Sequence, residues 1–250
     1  MLLVCPSYHY TLKLSQMKRI LIIAAVALAV VLQACSSKVY NNKSYLKQVN
    51  LKGKKVAILP VEVELTGRMP NNFTALKKQH AEESESKLIQ NQIYSQYLFK
   101  SNSGSRKKTS IDLMNVDQVN SRLMEEGIDV RQSWSMNPDS LGKLLGADMV
   151  LRVRVKKNRI MSDAASFGIG VASTVLGNIL NKDNSQSTSV NGSAKTYNMF
   201  LDAALSDVNT HAVITKFTHN ADASWNRPPE EVIESSGRKI VRKGAIYAQK

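Results

Sequence analysis

This 250-residue chain has few cysteines and lacks the common sequence motifs of covalent catalysis. Cys5 and Cys35 are its two cysteines, and the sequence contains no G-x-S-x-G nucleophile turn, no G-x-x-x-x-G-K-[ST] phosphate loop and no H-E-x-x-H zinc motif. Residues 167–170, FGIG, lack the preceding strand and the third glycine of a dinucleotide-binding turn. We therefore predict no catalytic residue, no cofactor and a protein that is not an enzyme.

Histidines and carboxylates are the other residues that could bind a metal or transfer protons. His211 and His219 could face one another along a predicted hairpin, but no carboxylate cluster accompanies them in the sequence, so we predict no metal site. Glu82, Glu83 and Glu85 cannot share one helix face, because they occupy three of four consecutive positions. We predict that these three carboxylates lie on a solvated surface and take no part in acid–base chemistry.

The strongest local signal is the stretch 17–35, MKRILIIAAVALAVVLQAC. A basic start at Lys18 and Arg19 precedes an uncharged apolar run over 20–32, which is typical of an export leader. A transmembrane helix is one alternative, although the run is shorter than the roughly 20 residues that span a bilayer. An export leader that is cleaved without lipidation is another.

The tetrapeptide at 32–35, LQAC, resembles the bacterial lipobox. This resemblance implies a lipoprotein signal peptide over 17–34, cleavage between Ala34 and Cys35, and acylation of Cys35. Residues 1–16 fit no part of a signal peptide, so we interpret them as a non-native upstream extension before a start at Met17. With Cys5 removed and Cys35 lipidated, no thiol remains for a disulfide, a nucleophile or a metal site.

The chain is strongly basic, with a formal net charge of +14. Residues 1–34 contain Lys13, Lys18 and Arg19 and no acidic residue, so the mature part keeps 31 basic and 20 acidic residues, a net charge of +11. Such a charge favours anionic partners such as lipid headgroups, cell-wall polymers or acidic protein surfaces. We predict no nucleic-acid partner, because an exported and membrane-tethered protein rarely meets one.

Apolar periodicity divides the rest of the chain into a tether and a folded domain. Residues 35–53 are predicted to be the lipidated cysteine and a polar, solvated tether. Residues 54–250 are predicted to form a single globular α/β (α+β) domain, with a mixed β-sheet packed with helices on one or both faces. The predicted elements are a strand over 55–61, a long amphipathic helix over 74–98, a short strand over 111–114, helices over 115–127 and 137–146, a strand over 147–155, a hairpin over 197–217 and a closing helix from 228.

Two segments of this domain resemble a known family. The strand VAILPV at 56–61 and the stretch LGKLLGADMVLRVRV at 141–155 are similar to the bacterial outer-membrane lipoproteins of the CsgG-like and LpoB-like superfamily, the curli-assembly type of periplasmic lipoprotein. In that family the segment LLGAD at 144–148 marks the step from helix to strand. The hairpin ALSDVNTHAVI at 204–214 is similar to the family's L-D-x-x-T-G turn, but His211 replaces the glycine.

The second informative stretch is an uncharged insert over 164–180, AASFGIGVASTVLGNIL. In the CsgG-like interpretation it occupies the position from which channel members extend membrane-crossing hairpins, but it does not alternate as a membrane strand should. The alternative is a small-residue helix or loop that lies against its own domain or a neighbouring subunit. The candidate membrane or partner contacts are Phe167, Gly168, Ile169, Gly170, Val171, Val175 and Leu176.

These observations lead to one functional hypothesis and two rivals. We predict a non-enzymatic, lipid-anchored envelope lipoprotein, held on the periplasmic side of the cell outer membrane, that acts in envelope assembly or export. It would bind a protein partner or a second copy of itself through the sheet edge and the insert. The first rival is an oligomeric outer-membrane secretion channel subunit of the CsgG type, and the second is an envelope hydrolase. Because Ser36 is not aspartate, retention at the inner membrane is not expected by resemblance to enterobacterial sorting.

Overall fold

The computed structural model of the protein describes residues 37–70, 72–102, 111–160, 195–224 and 226–244. The described residues form one seven-stranded mixed sheet with the order β1-β7-β6-β5-β2-β4, in which β3 also pairs with β5. The strands are β1 (Ser37–Asn41), β2 (Lys55–Ile58), β3 (Glu62–Gly67), β4 (Asp112–Leu113), β5 (Met149–Arg159), β6 (Lys195–Asp207) and β7 (Val213–Ser224). The predicted fold class, a mixed sheet packed with helices, is confirmed.

Local sequence signals set the ends of several helices. The described helices are α1 (Lys43–Gln48), α2 (Ala75–Asn102), α3 (Val116–Glu125), α4 (Val130–Ser135), α5 (Pro138–Leu145) and α6 (Pro229–Lys243). The Asn115 side chain caps α3 and the Asn137 side chain caps α5, each by accepting a hydrogen bond from a backbone N–H of the first turn. Gly146 ends α5 in the left-handed conformation, with φ of 66°. These caps and this terminator confirm the predicted helix ends.

The sheet carries a hydrophobic core on each face. On one face, α2 and α6 cover buried apolar side chains from five strands, including Ile58, Val153 and Phe217. On the other face, α3 and α5 cover a smaller core that includes Ala57, Val150 and the turn residue Val208. Strands β5, β6 and β7 extend beyond this smaller core, and their side chains there are mostly polar or charged.

Strand β5 is the centre of the sheet, and β2 and β3 share one of its edges. β2 runs parallel to the start of β5, and β3 runs parallel to its end. The Leu59 N–H donates to the Leu151 carbonyl at 3.0 Å, and Pro60, which has no N–H, then interrupts the ladder. The proline therefore ends β2 as predicted, but the chain resumes pairing at Glu62.

The segment that follows the candidate lipidation site is part of the folded domain. β1 is the edge strand that pairs antiparallel with β7 over Ser37–Asn41, and α1 follows it directly. The Tyr45 side chain is buried, and its hydroxyl donates to the Asp207 carboxylate at 2.5 Å. The prediction of a solvated tether over 35–53 is therefore wrong for residues 37–48. The segment has no glycine or proline to break a strand, and Tyr45 supplies the apolar contact that holds the helix.

Tyr45→Phe is expected to lower the free energy of unfolding by about 1–3 kcal/mol, because it leaves one buried Asp207 oxygen without its donor. Burial alone would raise the pKa of Asp207, but the hydrogen bonds from Tyr45 and Thr210 hold that pKa below its usual range. Urea unfolding of the purified protein measures the change. Tyr40→Phe is the matched control, because Tyr40 is exposed on β1. Equal effects of the two substitutions would contradict a structural role for this hydrogen bond.

Candidate functional site

The residues that the sequence singled out for lipidation and membrane contact lie outside the described residues. These are Ala34 and Cys35 at the predicted cleavage site, and Phe167, Gly168, Ile169, Gly170, Val171, Val175 and Leu176 in the insert. Their roles stay predictions. In the part of the chain that the structure describes, no group of three or more His, Cys, Asp or Glu residues is arranged to hold a metal ion.

The two hairpin histidines do not face one another, contrary to the arrangement considered from the sequence. His211 lies in the turn after β6 with φ of 58°, and its Nδ1 lies 2.6 Å from an Asp139 carboxylate oxygen on α5. His219 lies within β7 and is buried on the α6 side, where its Nδ1 lies 2.7 Å from the Ser236 hydroxyl. The hairpin therefore directs each histidine to a different helix.

A wide groove lies between α2 and the α3–α4 region. Its volume is about 580 Å³. Pro60, Leu123 and Ile128 contribute apolar surface to it, and Met124 on α3 is 74% exposed. The full lining is Pro60, Gln79, Glu83, Lys87, Asn91, Asp117, Asn120, Ser121, Leu123, Met124, Ile128, Asp129 and Val130. We call this site the α2–α3 groove.

Two arginines fix the short helix α4 that closes one end of the groove. Arg131 on α4 donates to Glu82 and, at 3.0 Å, to Glu83, and its guanidinium lies 5.2 Å from the centre of the Trp134 ring. Arg152 on β5 donates to the backbone carbonyls of Ser133, Trp134 and Met136 at 2.7–3.1 Å. These carbonyls belong to the last turn of α4 and its C-cap, where helix carbonyls lack partners within the helix. The helix is held at both ends, so this wall of the groove is preorganised.

The interpretation of Glu82, Glu83 and Glu85 as a solvated surface is wrong for two of the three. Glu82 and Glu85 are buried, and Glu83 is partly exposed. Glu82 accepts the backbone N–H of Leu65 at 2.9 Å in addition to its pairing with Arg131. Glu82 and Glu85 are three positions apart and share the side of α2 that faces protein, whereas Glu83 lies on the adjacent side and is partly exposed.

Buried amides join the groove to the sheet. Gln90 of α2 donates to the Ile58 carbonyl at 2.7 Å and accepts from the Asn120 side chain of α3 at 3.0 Å. One side chain thereby links α2, β2 and α3. Because the Gln90 amide is hydrogen-bonded through both its nitrogen and its oxygen, it favours a single arrangement of the elements around it, so the width of the groove is defined by polar as well as apolar contacts.

The charge of the groove is opposite to that of the chain. Glu83, Asp117 and Asp129 line it together with a single basic residue, Lys87. Arg131, whose side chain is 36% exposed, pairs with Glu83 from the α4 side. Asp117 and Asp129 are exposed and make no ion pair with another described residue. An apolar groove with acidic rims suits a segment that carries basic and apolar side chains.

A second charged site is buried at the far end of β5. The Lys157 ammonium donates to both Glu85 oxygens, at 2.9 and 3.0 Å, and lies 5.4 Å from the centre of the Tyr197 ring. Burial alone would lower the pKa of Lys157, but the adjacent Glu85 carboxylate raises it, so the ammonium stays charged. A permanently charged, fully paired lysine is neither a base nor a nucleophile, and we assign the pair a structural role.

The sequence interpretation missed the buried position of Lys157, although a signal for it was present. Leu151, Val153 and Val155 alternate on the buried face of the strand, and the same alternation continues to Lys157 and Arg159. The predicted strand ended at 155, where the apolar residues end. Position in the alternation, and not residue type, indicated that the two basic side chains point into the protein.

Comparisons with known proteins give structural similarities only. No protein-family model matches the chain, and no curated protein matches it. Among solved structures, the PelC dodecamer from Paraburkholderia phytofirmans is similar with a TM-score of 0.41 and 9% identity, over 86% of this chain and 99% of that one. Lipoprotein GNA1162 from Neisseria meningitidis has a TM-score of 0.38 and 10% identity, over 76% and 96%. The LpoB C-terminal domain from Escherichia coli has a TM-score of 0.32 and 14% identity, over 71% and 90%.

Similarities at this level place the chain in no family and assign it no function. The similar structures include a lipoprotein from Neisseria meningitidis and the LpoB C-terminal domain. The resemblance to CsgG stays a prediction. None of the described helices is both long enough and apolar enough to cross a bilayer.

Proposed function

We propose that this protein is a lipid-anchored lipoprotein of the bacterial outer membrane that acts in envelope assembly or export, without enzymatic activity, by binding a protein partner in the α2–α3 groove. The observation that carries the proposal is the groove itself. It is preorganised by buried polar contacts, and its described lining consists of carboxylates, amides, apolar side chains, Lys87 and Ser121. Such a lining suits recognition, because it offers apolar surface with a small number of polar groups that fix the orientation of a bound partner.

The anchor in this proposal rests on the sequence. The basic start, the apolar run and the LQAC tetrapeptide together favour acylation of Cys35. Confining the domain to a membrane raises its effective concentration for partners in the same envelope, as tethering does for any pair of linked binding sites. A groove of modest affinity is then sufficient for the function.

Mass spectrometry of the mature amino terminus tests the anchor. We expect an amino-terminal peptide that begins at Cys35 and carries fatty-acyl chains. A bare Cys35 thiol, or a mature protein that keeps residues 17–34, would contradict the proposal at this step.

Photocrosslinking tests the groove. A photoreactive amino acid at Met124 is expected to capture a protein partner in intact envelopes, whereas the same group at Phe200, which is 42% exposed on β6, is not. Ser121→Trp should reduce the Met124 adduct at least about tenfold, because a large side chain then occupies the groove and removes roughly 1.4 kcal/mol or more of binding. Ser140→Trp is the control, because Ser140 is an exposed helix serine outside the groove. An adduct that survives Ser121→Trp unchanged would show that the partner binds elsewhere.

A further inference from the structure

Basic residues are concentrated directly after the candidate acylation site. Residues 36–55 contain six lysines and no acidic residue, whereas the complete chain contains 20 acids among 250 residues. Lys43 and Lys47 are four positions apart in α1, so they share one face of that helix. Both side chains are exposed, and Tyr45 on the other side of α1 is buried.

The carboxyl end of α6 brings further basic residues to the same place. The Asn41 side chain donates to the Lys243 carbonyl at 3.0 Å, and the Lys243 ammonium lies 3.5 Å from the Ser37 hydroxyl. The Asn42 N–H, between β1 and α1, donates to the Ile214 carbonyl of β7 at 2.9 Å. These contacts place the end of α6 beside β1, at the strand end from which α1 begins.

We call the resulting surface the basic corner. Its four exposed members are Lys43, Lys47, Arg242 and Lys243. None of them forms an ion pair with a described carboxylate, although most other exposed charges of the sheet do, as in the pairs of Lys156 with Glu64 and of Lys216 with Asp202. A cluster of cations without internal partners is suited to an external anion.

Chain length holds the basic corner close to the bilayer if Cys35 is acylated. Two peptide units join Cys35 to Ser37, and at the extended length per residue they reach at most about 7 Å. Ser37 is already fixed in the sheet by its pairing with His219. The domain therefore has no long tether over these residues, and β1 begins within one short reach of the anchor.

We infer that the basic corner binds the phosphate groups of anionic lipids in the bilayer that carries acylated Cys35. This inference rests on the lipid anchor of the proposed function. Binding of the basic corner to the bilayer also sets the orientation of the domain. β1 and β2 are four strand spacings apart in the sheet, which is roughly 19 Å. The α2–α3 groove contacts the β2 side through Pro60, so docking by the corner directs the groove away from the bilayer.

Fluorescence quenching of the acylated protein in vesicles tests the inference. Ser44→Cys places a single label on α1 between Lys43 and Lys47, and Ser121→Cys places one in the groove. The vesicles contain phosphatidylethanolamine with either phosphatidylglycerol or phosphatidylcholine, and a trace of lipid with a quencher on its headgroup. We expect the Ser44 label to be quenched at least about fivefold more strongly with phosphatidylglycerol, since one bound lysine supplies roughly that factor. The groove label should be quenched weakly in both.

Charge variants separate the basic corner from the net charge of the chain. Neutralising three corner residues in Lys43→Gln/Lys47→Gln/Arg242→Gln should abolish the difference between the two lipids. The control Lys77→Gln/Lys143→Gln/Lys156→Gln removes the same charge at positions outside the corner and the groove, and it should retain the difference between the two lipids. The protein could float with the vesicles while the label at position 44 shows no lipid-dependent quenching, or while the label at position 121 is quenched as strongly as the label at 44. Either result overturns the inference but does not contradict the lipid anchor. Protein that fails to float overturns the anchor, and the inference with it.

Discussion

Replacing Lys157 with methionine is expected to lower the free energy of unfolding by about 3–5 kcal/mol, because it leaves the Glu85 carboxylate buried without a counter-charge. The side chains of Lys157 and Glu85 are 1% and 6% exposed, so water cannot take the place of the lost ammonium. Methionine has a similar length and no charge, so the loss reports the unpaired carboxylate more than a cavity. Urea unfolding at neutral pH measures the change.

The neighbouring residue provides a matched control on the opposite face of the same strand. Lys156 pairs with Glu64 across β3 and β5, and the two side chains are 50% and 53% exposed. Lys156→Gln should change the free energy of unfolding by less than about 1 kcal/mol, as is usual for solvent-exposed pairs. The double variant Lys157→Met/Glu85→Leu should recover most of the loss, because it removes both buried charges. A double variant no more stable than Lys157→Met would rule out this explanation.

Lowering the pH from 7 to 5 is expected to cost about 2 kcal/mol of stability through His219 alone. Burial, with Lys239, Arg227 and Lys243 nearby, lowers the pKa of His219 from its ordinary 6.5 to about 4. The unfolded chain then binds a proton below pH 6.5 that the folded protein does not bind until near pH 4. Stability from this group is therefore complete above pH 6.5 and is lost as the pH falls through about 4.

The contacts of His219 explain why the neutral ring is favoured. The Ser236 hydroxyl donates to the Val232 carbonyl at 2.7 Å, so His219 Nδ1–H donates to the hydroxyl oxygen. Nε2 then accepts from the Lys239 ammonium at 3.1 Å. A protonated ring would place a second positive charge against that ammonium, in a site that is 1% exposed.

Urea unfolding at a series of pH values between 5 and 7 measures the effect. His219→Gln should flatten the dependence, because glutamine does not titrate. His80→Gln, on the exposed side of α2, should keep the dependence of the parent protein. An unchanged slope in His219→Gln would assign the pH dependence to other groups.

Most elements of the fold were predictable from signals that lie within about ten residues, but β3 and α4 were not among the predicted elements. The alternation of Leu151, Val153 and Val155 predicted β5, and the Asn137-Pro138 start and Gly146 stop predicted α5. Caps and alternation act through a residue's own backbone and its nearest turns, so they can be recognised without knowledge of the partner. The boundary of the folded domain was not predicted, because β1 is defined by its pairing with β7, which lies about 180 residues further along the chain.

The α2–α3 groove could not be predicted, because its lining comes from four separate segments of the chain. The acidic character of Glu83, Asp117 and Asp129 emerges only when α2, α3 and α4 are brought together. The same reason applies to Glu82 and Glu85. Their i, i+3 spacing places both on one side of α2, but whether that side faces solvent or faces Arg131 and Lys157 depends on tertiary packing.

The sequence by itself determined the fold class and most of the strands and helices, because each depends on residue types at short, fixed spacings, and it predicts an export signal ending at Cys35. Only the tertiary structure decided which charges are buried, where the groove lies, and that residues 37–48 are strand and helix and not a tether. A buried charge is stable only beside its partner, and for Lys157 and Glu85 that partner is 72 residues away. The packing of α2 against β5, and not any local sequence pattern, brings these two side chains together.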